Sequence, residues 1–336
     1  MHKFDPDIVV QTIHSGKLRR YHHLKWWQHL QLNILLPNLR DVFFVVVGIF
    51  QSLFKMFQYK PDVVFTKGGF VCVPVGFAAH LLRIPIIVHD SDAHPGLANR
   101  ILSRWALRIA TGAPLSFYNY PTRKSHYVGT PVDSSFKIYS ASHQQAAKAK
   151  LGVDPSKPLI VITGGGLGAQ RLNDVVITTL DQLLPMASVV LVSGTKQYNE
   201  LKQQSPNNPN FILIDFVKEG MADIMGAADV IVTRAGATAL LEVAALAKPT
   251  IVVPNGRLTG GHQLKNAAVY KTANAVRMVD DDMMYADPDL LVNEVKGLLL
   301  DKDERKRLAS AIHRLAKPRA ASDMADIITR AAVRKR

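Results

Sequence analysis

The sequence predicts two α/β domains in tandem, each built on a parallel sheet. Three observations carry that reading. Short β-branched apolar runs alternate with helix-forming segments, the pattern of buried parallel strands joined by crossovers. The alternation pauses at a polar stretch, residues 133–142, and then restarts. Directly after the restart the chain reads PLIVITGGGLGAQRLN over residues 158–173, which is strand, glycine loop and helix. With 336 residues, 48% of them hydrophobic, the chain has material for two cores.

In order, residues 8–11 read as a short strand. A basic, aromatic-rich loop follows, with Lys17, Arg19, Arg20, Lys25, Trp26 and Trp27. The next segment is helical and apolar, ending near Tyr59. Its most apolar part lies between Asp41 and Lys55, is interrupted by Gln51 and Ser52, and falls short of the about 20 residues a span needs. The expectation is a helix that does not cross a membrane. It is either partly buried or laid on a membrane surface beside the upstream cations. Residues 61–66 form a buried-type strand, Gly68-Gly69 turns the chain into a helix through Leu82, and residues 85–89 form another strand. The polar turn DSDAHPG leads into a helix across 98–107, and Tyr127-Val128 leads to Gly129-Thr130-Pro131. Beyond the linker, strands are expected at 159–163, 188–192, 211–214, 230–233 and 250–253, with a final helical segment over 303–334. The expected domains are 1–135 and 136–336, with the last helix packing back on the first.

The formal charge of +14 favours polyanions: nucleic acid, an anionic membrane face or phosphorylated substrates. No nucleic-acid motif accompanies the charge, so no nucleic-acid partner is expected. A single cysteine, Cys72, excludes an intramolecular disulfide and any multi-cysteine metal site. The first ten residues, MHKFDPDIVV, lack the apolar core of a signal peptide.

Four constellations have residue types suited to chemistry. In the glycine loop, Gly164, Gly165, Gly166 and Gly168 allow successive N–H groups to converge on an anion. The alternative is a tight turn that only lets helix and strand pack. The G-x-G-x-x-A match raises a dinucleotide fold, but the next strand ends in Ser193-Gly194 with no ribose-binding carboxylate. A P-loop lysine is also missing. The second constellation is VIVTRAGATALLEVAA over residues 230–245. There Glu242 can accept from vicinal ribose hydroxyls, or simply sit in a helix dipole. Arg234 meets phosphate or pairs with an acid. The third, PNGRLTGGHQLKNA over residues 254–267, is a flexible loop closing on His262, Gln263 and Asn266. Amide side chains of this kind suit sugar hydroxyls, and His262 is a base, a cap or solvated. The fourth is His89-Asp90-Ser91-Asp92 with Asn99, where a polar cluster follows a strand. An H-x-D pair without a third ligand does not make a metal site, and no metal or cofactor is expected.

Taken together and in this order, the motifs resemble the MurG-type enzymes of glycosyltransferase family 28. The resemblance runs from GKLRRY at Gly16 through KPDVVFTKGGFVCVP, IPIIVHDSDAHPGLANR, YVGTPV, GGGLGAQRLN and the long FVKEG…ALAKP stretch to GGHQLKNA. The family implies the GT-B arrangement of two Rossmann-like domains. It also implies transfer of N-acetylglucosamine from UDP-N-acetylglucosamine to an undecaprenyl-diphosphate-linked muramoyl pentapeptide, with inversion. Carried over by residue, Glu242 takes the ribose hydroxyls and the backbone at Phe216-Val217 takes the uracil. The 164–169 loop faces the diphosphate, Arg234 lies near the phosphates, and Ala237 and Thr238 line the donor pocket. His262 and Gln263 hold the sugar, while Asp92 and Asn99 reach in from the first domain. The apolar helix matches a membrane-docking face, which implies a peripheral protein on the cytoplasmic side of an anionic membrane.

Three departures stand out: Asp90 where the family has Glu, Gly166 where many have Ser, and Asp133 where an Arg closes the G-N-P-V-R turn. The family also places a strand and a G-x-G-G-H loop with its usual catalytic histidine ahead of GKLRRY. The expectation is a chain that starts late within the first domain, or a short form completed by a partner subunit. No residue is assigned as base. The alternatives are a UDP-sugar-binding subunit, a family 28 glycolipid transferase with another acceptor, or a soluble UDP-sugar epimerase.

Overall fold

The computed structural model describes residues 7–17, 32–165, 169–257 and 261–333. Helix α1 (Leu32–Tyr59) leads into a four-stranded parallel sheet in the order β1-β2-β3-β4. Its strands are β1 (Val64–Thr66), β2 (Ile86–Asp90), β3 (Arg108–Thr111) and β4 (Ser125–Tyr127), with α2 (Cys72–Leu81) and α3 (Leu97–Leu102) between them. Alternation of side chains decides what covers each face. Val64, Ile86, Val88 and Ile109 bury one face under Met56 of α1, Ala78 and Ala79 of α2, and Leu102 of α3. On the other face Ala110 packs with Val128, Ala320 and Met324, the last two from the final helix.

The second sheet has six parallel strands, β5 (Leu159–Thr163), β6 (Ser188–Val192), β7 (Phe211–Ile214), β8 (Val230–Thr233), β9 (Thr250–Val252) and β10 (Arg277–Met278). Their order is β10-β9-β8-β5-β6-β7. Strand β5 is central and covered on both faces, which is why it reads as an unbroken apolar run. Its Leu159, Ile160, Val161 and Ile162 are all buried, each contributing roughly 1.5–3 kcal/mol of transfer free energy. The helices are α4 (Ala141–Lys150), α5 (Gln170–Thr178), α6 (Leu180–Leu183), α7 (Tyr198–Gln204), α8 (Met221–Ala227), α9 (Ala237–Leu246), α10 (His262–Thr272), α11 (Asp281–Ala286), α12 (Asp289–Leu300), α13 (Lys302–His313) and α14 (Ala320–Val333).

Four of the five strands expected after the linker have the predicted bounds, and the fifth ends one residue early. Several other elements differ. No strand forms at 8–11, where Ile8, Val9 and Val10 are exposed and no neighbouring strand pairs with them. Strands β3, β4 and β10 and helix α4 were not legible: the strands are two to four residues long, and α4 starts at the end of the polar stretch and is itself rich in Gln, Lys, Ser and His. Its start is fixed by Ser140, whose Oγ accepts from the His143 N–H at 3.2 Å. Helix α3 stops at Leu102, well short of 107. The expected 303–334 segment is two helices, α13 and α14, parted at Pro318, which cannot continue a helix.

Helix α1 corrects the membrane argument. It includes Pro37, Arg40 and Asp41 and runs 28 residues. Within it, 35–59 is long and apolar enough to cross a membrane by length and composition alone. One side packs on α2 and holds Met56 and Ser52 buried. The opposite side presents Leu36, Leu39, Phe43, Val46, Phe50, Phe54 and Phe57, spaced three or four residues apart as one helix ridge. Phe50 is 68% exposed and Phe54 71%. Of the basic and aromatic residues expected beside this helix, Lys17 is exposed, and Arg19, Arg20, Lys25, Trp26 and Trp27 lie outside the described residues.

Candidate functional site

The second sheet has one topological switch point. Strand β5 pairs with β6 on one side and β8 on the other, so the chain leaving β5 and the chain leaving β8 turn apart. Thr163 and Thr233 lie side by side at their carboxyl ends. A crevice at such a point is where open α/β sheets bind ligands. The loop after β5 starts with Gly164 and with Gly165 at φ +78°, a conformation that favours glycine. The Gly165 N–H donates to Thr163 Oγ1 at 3.1 Å. Gly166 and Gly168 lie outside the described residues. Across the crevice α9 begins after Gly236, which has no side chain to cap the helix. The first N–H groups of α9, at Ala237 and Thr238, are therefore open to an anion, and Thr238 is exposed.

Glu242 stands on the second turn of α9. It is partly buried and makes no hydrogen bond or ion pair among the described residues, and burial pushes its carboxyl above the ordinary 4.5. Its place past the first turn weakens the helix-dipole reading, since that effect is strongest in the terminal turn. A desolvated carboxylate without a protein partner is an acceptor waiting for donors such as vicinal hydroxyls. On the β7–α8 loop, Phe216 is 45% exposed while Val217 packs partly onto the core.

Arg234 takes the acid-pairing alternative and not the phosphate contact. The side chain is buried, donates to Asp281 Oδ1 at 2.6 Å and to the Val253 carbonyl at 3.1 Å, and so turns away from the crevice. Arg171 of α5 reaches the same acidic pair, at 3.0 Å from Asp281 and 2.5 Å from Asp282, and stacks over Tyr285. Arg257 closes the group on Asp282 at 2.7 Å. Three cleft segments, the start of α5, the end of β8 and the 253–257 turn, are thereby pinned to α11. Asp281 and Asp282 carry no sequence signal beyond a run of three aspartates.

His262, Gln263 and Asn266 belong to α10, not to a flexible loop. Gln263 Oε1 accepts from the Asn255 N–H at 2.8 Å, so that side chain already braces its own turn. His262 Nδ1 is buried without a hydrogen-bond partner and lies 3.8 Å from Asp92 Oδ2. Asn266 is buried at the domain boundary, where its Oδ1 accepts from the Ala93 N–H at 2.8 Å and its Nδ2 donates to Asp92 and to the Ala235 carbonyl.

In the first domain the Asn99 amide packs against Gly68, in the turn after β1. It is buried and its Nδ2 donates to the His89 carbonyl and to Asp90. Asp90 also accepts from Tyr120, and burial raises its carboxyl above the usual range. His89 is fully buried, hydrogen-bonds to the Gly129 carbonyl at 2.9 Å, and is pushed down to about 4 chiefly by burial. It is no proton acceptor for a substrate. His94 is partly buried in the cleft, 6.0 Å from the His262 ring, and burial followed by the nearby Lys265 charge lowers its pKa. The sequence reading gave Gly68 and Gly69 no more than a turn. Both adopt positive φ, +84° and +90°, at the carboxyl end of β1.

Comparison with known proteins matches both halves. Residues 10–111 fit the glycosyltransferase family 28 N-terminal domain and 159–328 the family 28 C-terminal domain. A Clostridium kluyveri protein is 35% identical over 309 residues, covering 91% of this chain and 82% of its own length. It is named UDP-N-acetylglucosamine–N-acetylmuramyl-(pentapeptide) pyrophosphoryl-undecaprenol N-acetylglucosamine transferase, as is a Lachnospira eligens protein at 33%, with 89% and 79% covered. Among solved structures, Acinetobacter baumannii MurG superposes with TM-score 0.69 at 25% identity, covering 86% of this chain and 79% of that one. A Neisseria meningitidis UDP-GlcNAc 2-epimerase bound to UDP-GlcNAc shares the fold, with TM-score 0.62 at 17% identity over 85% and 81% of the two chains. With both domain models matched in chain order and a curated relative covered over most of its length, the chain belongs to glycosyltransferase family 28.

Proposed function

We propose that this chain transfers N-acetylglucosamine from UDP-N-acetylglucosamine to the hydroxyl of an undecaprenyl-diphospho-N-acetylmuramoyl pentapeptide. The observation that carries the donor half is the switch-point crevice, with Gly165, the uncapped start of α9 and the unpartnered carboxylate of Glu242 around it. These are complementary to a diphosphate and to a ribose diol. The acceptor hydroxyl attacks the anomeric carbon, its proton passes to a base, and the bond to the diphosphate breaks to release UDP. Loop N–H groups and the α9 terminus stabilise the charge that develops on the leaving diphosphate. An assay for released UDP tests this: release requires both donor and lipid acceptor. Release at the same rate from donor alone would make the chain a hydrolase.

The acceptor half rests on α1. Its exposed ridge of Phe50, Phe54 and Phe57, with the exposed cation Lys17 upstream, suits an anionic bilayer surface on the cytoplasmic side, where nucleotide sugars are available. Full transfer of a phenylalanine out of water contributes roughly 1.5–3 kcal/mol, and partial insertion less. Phe50→Glu with Phe54→Glu is therefore expected to lower partition onto anionic vesicles by about 30-fold or more. Unchanged partition would remove α1 from the membrane account.

A further inference from the structure

We propose that Asp92 and Asn266 form an interdomain clasp that couples the first turn of α10 and the head of α9 to the first domain. The inference rests on the donor reading above, and it makes both of them positioning residues. Three hydrogen bonds define the clasp. The Ala93 N–H donates to Asn266 Oδ1 at 2.8 Å; Asn266 Nδ2 donates to Asp92 Oδ1 at 2.9 Å and to the Ala235 carbonyl at 3.1 Å. Asn266 is 4% exposed, so its amide is committed to these partners. Two of them belong to the β2–α3 loop of the first domain, and the third is the residue just before Gly236 at the head of α9. One side chain thus joins the first domain, the donor-facing end of α9 and the body of α10.

The coupling follows from helix geometry. His262 and Gln263 stand on the first turn of α10, and Asn266 is four and three residues further on, on the same face. The Asp92 loop is itself braced: Tyr118 Oη donates to the Asp92 carbonyl at 2.7 Å and accepts from the Ala113 N–H at 3.1 Å. His262 Nδ1, buried without a hydrogen-bond partner among the described residues, lies 3.8 Å from the second oxygen of Asp92 and so sits beside the clasp. A sugar that engages the first turn of α10 fixes the helix on which the clasp depends.

The test uses the polarity of the pair. Asn266→Asp keeps an acceptor for Ala93 but sets a carboxylate against Asp92 and the Ala235 carbonyl, with no proton between the oxygens. Asp92→Asn in the same chain restores a donor. In Asn266→Asp we expect exchange of the Ala93 amide to quicken by about 10-fold or more, and kcat/KM for transfer to fall roughly 10- to 100-fold, while UDP binding by calorimetry stays within about threefold. The Asp92→Asn/Asn266→Asp chain recovers most of both losses. Equal defects in the single and double variants would overturn the clasp. So would loss of UDP binding in Asn266→Asp, which would make Asn266 a direct donor contact, or unchanged Ala93 exchange. Amide exchange reads the clasp even in a chain that transfers no sugar, so failure of the proposed function and failure of the clasp are separable.

Discussion

Replacing Glu242 with alanine is expected to cut kcat/KM for UDP-N-acetylglucosamine by about 100- to 1000-fold, with a parallel loss of UDP affinity. Two hydrogen bonds from a ribose diol to an ionised carboxylate contribute roughly 1.5–3 kcal/mol each when water is excluded. Glu242 provides both acceptors and spends neither on the protein. Glu242→Gln keeps the shape and one acceptor but loses the charge, so about a tenfold loss is expected. The pH dependence follows from the same burial. The free carboxyl titrates above 4.5, and the diol binds the ionised form. Donor affinity is therefore full above that raised value and falls as pH drops through it. Calorimetric titration with UDP across the acidic range checks the sign. Affinity that does not fall on acidification, or a Glu242→Ala chain that binds UDP normally, would remove Glu242 from the ribose.

Asp281→Ala is expected to lower the stability of the second domain by about 3–5 kcal/mol, the usual consequence of leaving a buried charge unpaired. Arg234 and Asp281 each have only 6% of the side chain exposed, and they meet at 2.6 Å. Arg171 retains Asp282, so the strain falls on Arg234 and on the turn that its bond to the Val253 carbonyl holds. Asp281→Asn, which still accepts one hydrogen bond, should cost less. Thermal unfolding of both variants checks this. An Asp281→Ala chain melting within a degree of the parent would show that the ion pair is not structural.

The second sheet was legible because its strands are buried on both faces and therefore write themselves as uninterrupted apolar runs, as at Ile160 to Ile162. Burial there follows from composition alone. The first sheet was less legible because β3 and β4 are short and mix Arg, Thr, Ser and His with small residues. What was not written locally is which polar groups find each other across the fold. For Arg234 the sequence left phosphate and an acid both open, and the acid it meets lies 47 residues away on α11. Asp92 read as a residue reaching in from the first domain and Asn266 as an amide suited to sugar hydroxyls, and they meet across 174 residues as a pair. Glu242 lies on the helix that follows β8, a strand that the apolar run at 230–233 made legible. The length of α1 was underestimated because an apolar window stops at Asp41, whereas the helix runs past it and buries that residue.

Incubation of the full chain with UDP-N-acetylglucosamine labelled in the sugar, in vesicles holding the undecaprenyl-diphospho-muramoyl pentapeptide, tests the central claim most directly. The account predicts label in the lipid fraction as a β-linked disaccharide, with one UDP released for each sugar moved. Label that remains on UDP as an isomerised sugar, with an unglycosylated lipid, would contradict it and make the chain an epimerase on the same fold.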